Sequence, residues 1–81
     1  MKKFILNASK NEFYEFGVGC KLFILQDAWA IILNIPNTNI SDPLIILEIY
    51  NNEERCKEVF KDLINYIADP TPTIKYFEMP I

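Results

Sequence analysis

Residues 44–81, LIILEIYNNEERCKEVFKDLINYIADPTPTIKYFEMPI, decide the fold class of this chain. Leu44–Tyr50 is an apolar run rich in isoleucine, suited to a pleated strand. Its side chains alternate, with Ile45, Leu47 and Ile49 on one face and Leu44, Ile46, Glu48 and Tyr50 on the other. Polar Asn51-Asn52-Glu53-Glu54 then opens a helix. Either asparagine can cap it with a side-chain oxygen, and both glutamates suit the positive end of the helix dipole. With Asn51 as the cap, Glu54 completes a capping-box-like pair. Cys56, Val59, Phe60, Leu63, Ile64 and Ile67 recur at the three-and-four spacing of one helical face. Glu53 and Lys57 stand one turn apart and form a supporting pair. Asp69-Pro70-Thr71-Pro72 stops the helix, because proline lacks the backbone donor and restricts the residue before it. Ile74–Met79 reads as a closing strand ended by Pro80.

Upstream, the pattern is β-rich. Phe4–Leu6 is a short strand followed by the polar turn Asn7–Asn11, and aromatic Glu12–Phe16 is a second. Gly17-Val18-Gly19 permits a bend or bulge. Cys20–Leu25 and Trp29–Ile35 form a hairpin around Gln26-Asp27-Ala28, and neither strand alternates cleanly between apolar and polar residues. Such strands are usually covered on both faces. Pro36–Pro43, rich in Asn, Ser and Thr, is a loop.

The expected fold is therefore α+β, in one domain over residues 1–81. It is a single antiparallel, strongly twisted sheet of about five to six short strands, with one amphipathic helix packed on one face, in the order β-β-β-β-β-α-β. One helix cannot cover both faces of such a sheet. Phe23, Leu25, Ile32 and Ile46 are left on the far face, and exposing about five side chains of this kind forgoes roughly 7–15 kcal/mol of burial. Either the sheet curls on itself or a second copy covers it, and a homodimer or higher homo-oligomer is the expectation.

Composition bounds the function. The chain has 81 residues, 51% hydrophobic, which excludes a disordered tail and leaves more apolar surface than so small a domain can bury. Its net charge is −3, and its eight basic residues are scattered among eleven acids. Direct nucleic-acid binding needs a basic stripe and is not expected. Met1-Lys2-Lys3-Phe4-Ile5-Leu6 resembles the start of a signal peptide, but polar Asn7–Glu12 ends the apolar run. Leu22–Ile35 is too short and too interrupted to span a membrane. A cytoplasmic protein without membrane association is expected. Cys20 and Cys56 read as two buried thiols, with a disulfide as the alternative.

The segment Glu48-Ile49-Tyr50-Asn51-Asn52-Glu53-Glu54-Arg55-Cys56-Lys57-Glu58-Val59-Phe60, with Tyr76-Phe77-Glu78-Met79-Pro80, resembles small proteins of phages and mobile elements of Gram-positive bacteria. These share a strand–helix–strand C-terminus ending in Met-Pro. The resemblance implies this fold and no assigned reaction. It also implies a mobile-element setting, in which the chain inhibits a host defence protein as a homo-oligomer. An alternative is a sponge that sequesters a nucleotide-like small molecule at subunit interfaces.

No catalytic residue, metal ligand or cofactor is assigned. Histidine is absent, so the commonest acid–base and metal-binding group is missing. Glu53, Glu54 and Glu58 read as a solvated helix face, and Gly17-Val18-Gly19 lacks the rest of a phosphate loop. The candidate interaction residues are Phe23, Asp27, Trp29, Asn37 and Asn39. Trp29 sits where a binding hot spot or a core-capping strand residue would. The asparagine loop is either a contact surface or a connection.

Overall fold

The computed structural model describes residues 3–36, 44–72 and 74–81. Its elements are β1 (Lys3–Leu6), β2 (Phe13–Phe16), β3 (Lys21–Leu25), β4 (Ala30–Asn34), β5 (Leu44–Ile49), α1 (Glu53–Ala68) and β6 (Phe77–Glu78). The class and the element order match the sequence reading. The sheet does not. Two three-stranded sheets replace one, with strand orders β2-β1-β6 and β3-β4-β5.

Two local causes divide the sheet. Between β2 and β3 the chain turns at Gly17–Gly19, with Gly19 at φ +87 and so close to Pro36 that a Cβ would stand 3.1 Å from its ring. Only glycine takes that conformation and that approach without strain. At the other end, β6 joins β1 in parallel, Ile5 against Phe77 and Leu6 against Glu78. Parallel neighbours need a crossover, and α1 lies in this one. The division answers the coverage problem for the inner faces only, since Phe23, Leu25 and Ile46 stay exposed on the far face of the second sheet. The inner faces of both sheets close on the same helix, and Ile5, Ile31, Leu33, Leu47, Cys56, Val59, Leu63 and Met79 form one core.

Asn7 organises the β1–β2 turn. Its side-chain oxygen accepts from the backbone N–H of Asn11 and Glu12 at 3.1 and 3.2 Å. Asn52, rather than Asn51, caps α1, accepting from Arg55 N at 3.0 Å. Lys57 meets Glu53 at 2.7 Å as the spacing predicts. The buried stripe is Cys56, Val59, Leu63 and Tyr66. Ile64 is turned outward, because at 100° per residue a stripe centred on Cys56, Val59 and Leu63 carries it past the flank and brings Tyr66 inward. The Tyr66 hydroxyl escapes burial without a partner by donating to the Lys75 carbonyl at 3.1 Å.

The last turn of α1 has no basic residue of its own. Lys3 supplies the charge from β1, its Nζ donating to the carbonyls of Tyr66, Ile67 and Asp69 at 3.2, 2.7 and 2.6 Å. These carbonyls lie at the negative end of the helix dipole, where the last turn is short of donors; Tyr66 O also accepts from Asp69 N at 3.3 Å. Lys3→Met is therefore expected to cost about 1.5–3 kcal/mol, the range for hydrogen bonds to a charged group. Urea unfolding measures this, and an unchanged midpoint would show the ammonium to be idle.

A bulge shifts β5. Ile31 pairs with Glu48 but Ile32 with Ile46, so Leu47 is the extra residue. Beyond it the faces exchange: Ile49, expected beside Leu47, points outward, and Tyr50 turns into the core. Tyr50 N donates to Trp29 O at 2.9 Å, and its hydroxyl donates to Pro80 O at 2.6 Å. Burial first, and then the Glu48 carboxylate, push its pKa from 10.0 up to about 12. A phenol held protonated in the fold contributes stability that is whole below pH 10 and is lost as pH rises toward 12. Alkaline titration should remove up to about 2–3 kcal/mol in that window, and Tyr50→Phe should abolish that component. A Tyr50→Phe curve with the same alkaline slope would refute the assignment.

Candidate interaction surface

The outward face of the second sheet is apolar over most of its length. Antiparallel pairing sets its side chains in three cross-strand rows: Lys21, Asn34 and Leu44; Phe23, Ile32 and Ile46; Leu25, Ala30 and Ile49. Phe23 is 37% exposed, Leu25 44%, Leu44 61%, Ile46 55% and Ile49 49%. Ala30 and Ile32, on the central strand, are buried between them. The relief is thus two apolar ridges, from β3 and β5, flanking a lower line along β4. The described residues on this face include a single charged side chain, Lys21, at one end. Asp27 lies in the β3–β4 turn at the other end, exposed. Asn34 is the polar residue of the central strand, and its Oδ1 is buried with no hydrogen-bond partner.

This exposure is costly to leave unfilled. Full burial of such a side chain contributes about 1.5–3 kcal/mol, so finishing five half-exposed ones is worth roughly 4–8 kcal/mol. A contact made by two such faces would gain about 8–15 kcal/mol, against roughly 4–15 kcal/mol for lost orientational freedom. A face of this size therefore supports a reversible complex.

Of the residues singled out from sequence, Phe23 stands in the middle of this face and Asp27 at its end. Trp29 is not the first residue of a strand. It closes the hairpin turn in the left-handed region, at φ +49, where side chains are disfavoured. Its half-buried ring packs on the core, with the Lys57 ammonium 5.8 Å from the ring centre. The structure thus places Trp29 away from Phe23. Asn37 and Asn39 lie outside the described residues. Sequence reasoning missed Leu44 and Ile49. Leu44 was legible, since it shares a strand face with Ile46, whereas Ile49 reaches that face only through the bulge.

A second concavity, an open groove of about 530 Å³, runs along five consecutive residues, Ile74–Glu78. Tyr76 meets Phe13 edge-on there, with ring centres 5.1 Å apart, and Lys10 lies 3.7 Å from Glu78. Among the described residues, the groove is lined by this one segment alone.

The chemistry of the remaining groups is plain. Cys56 is fully buried, and burial pushes its thiol pKa up, away from the reactive thiolate. Cys20 is half-buried rather than in the core, and both cysteines are free thiols. Among the described residues no group of three metal-ligating side chains converges, and no helix is long and apolar enough to cross a membrane. Comparison with protein-family models, curated proteins and solved structures finds no match to this chain.

Proposed function

We propose that this chain is a non-enzymatic interaction protein that works through the outward face of its second sheet. The supporting observation is the set Phe23, Leu25, Leu44, Ile46 and Ile49, held half-exposed side by side on one rigid sheet. Monomeric proteins seldom leave so many large apolar groups contiguous, and such patches mark partner surfaces. The resemblance to phage and mobile-element proteins adds a setting: a protein acting in the host cytoplasm, inhibiting a host defence protein as a homo-oligomer. The sponge alternative has less support: among the described residues lining the groove at Ile74–Glu78, Lys75 is the one cation and Glu78 offsets it.

Native mass spectrometry and binding of the apolar-surface dye ANS test this reading. The freshly purified chain should run above its 9.5 kDa monomer mass or bind the dye on this face, and Ile46→Glu should abolish whichever is seen. A bare monomer that binds no more dye than Ile46→Glu would overturn it.

A further inference from the structure

Resting on that reading, we infer that the outward face of the second sheet pairs with the same face of a second copy, with the strands of the two sheets running in opposite directions. The first support is charge. A two-fold contact sets a patch against itself, so any charge at its centre would repel its own image. Here the centre carries none, although the chain has a net charge of −3. The burial gain of two such faces also meets far more of what association needs than one such face against a polar surface does.

The second support fixes the orientation. Lys21 begins β3 at one end of the face, and Asp27 lies in the turn at the other end. If the two-fold axis ran along the strands, β3 would lie over the partner's β5, Lys21 would sit over the partner's Leu44, and neither charge would reach an opposite one. With the axis across the strands, opposite ends meet. Phe23 then lies over the partner's Phe23, Ile46 over the partner's Ile46, and Leu44 over the partner's Ile49. Lys21 lays its aliphatic stem over the partner's Leu25, and its ammonium reaches the partner's Asp27. Asn34 falls opposite the partner's Ala30, the smallest side chain of the face. The two sheets stack as aligned layers about 10 Å apart, the usual spacing of packed sheets.

Sedimentation equilibrium with charge-exchange variants tests the pairing. The full chain should dimerise with a dissociation constant on the order of micromolar. Lys21→Glu and Asp27→Lys, each on an exposed side chain, should weaken the dimer about 3- to 30-fold, since each dimer loses two exposed ion pairs and gains like-charge contacts. The double variant should return to within about twofold of the original, because the exchange restores both pairs. A chain that stays monomeric up to about 1 mM while still binding ANS on this face overturns the homodimer and leaves the interaction reading standing. A dimer that the double variant fails to rescue overturns the antiparallel arrangement. A dimer unaffected by Ile46→Glu overturns this face as its interface.

Discussion

Replacing Leu63 by alanine is expected to remove about 2–5 kcal/mol of folding stability, the range for truncating a buried leucine. Leu63 has no exposed surface and lies where α1 meets both sheets, so its loss leaves a cavity that neither sheet can collapse into alone. Domains of this size carry only about 5–10 kcal/mol in total, so the variant should sit near the edge of unfolding. The adjacent Ile64→Ala provides the control. Ile64 is 38% exposed on the outer flank of the helix and should cost less than about 1 kcal/mol. Urea denaturation of the two variants, with unchanged slopes, measures the difference directly. Equal costs would mean that the helix is rotated from the position described here.

Ile46→Glu should have the opposite profile: little effect on the fold and a large one on association. The residue is more than half exposed in the isolated chain, so the glutamate side chain can remain in water. Folding stability should change by no more than about 1 kcal/mol, mostly through lost β-propensity. In the paired state the carboxylate would face Phe23 and Ile32 of its own row and the equivalent row of the partner, out of water and without a counter-charge. Two buried carboxylates near a two-fold axis are expected to weaken the complex by at least about 100-fold. Sedimentation velocity should show the variant as a monomer at concentrations where the original chain associates, with circular dichroism unchanged. A variant that associates as before would remove this face from consideration.

Much of the fold was legible because its signals are local. The helix entry at Asn52, the three-and-four spacing of Cys56, Val59 and Leu63, and the stop at Pro70 each act within a few residues. Each predicted strand was found, although the closing one is only Phe77–Glu78. Division into two sheets was not legible. It depends on whether Phe13–Phe16 pairs with β3 or only with β1, and on a parallel partnership between Ile5 and Phe77 that alternation cannot announce. The bulge at Leu47 was hidden for a similar reason, since inserting one residue reverses every later side chain without altering the apolar run. The site was half legible. Phe23 and Ile46 follow from counting faces and covering elements, because an apolar strand side chain that no helix reaches must point somewhere. For Trp29, aromatic identity alone left a hot spot and a core-capping ring both open, and the ring packs on the core beside Lys57.

The parallel pairing of β1 with β6 also governs when the molecule can form. Lys3 and Ile5 find their partners, the end of α1 and Phe77, only across more than sixty positions of chain. β1 and β2 are near in sequence and can pair early, but closing so wide a loop precedes any reward from its contacts, so the addition of β6 comes late and sets the pace. During synthesis the β3–β4 hairpin and β5 emerge well before Phe77 and can pair among themselves. The second sheet, with its apolar outer side, therefore exists for a time without the finished core behind it. In a crowded cell that interval is the chain's most aggregation-prone moment, and it lasts until Met79 donates its N–H to Leu6 and locks the first sheet shut.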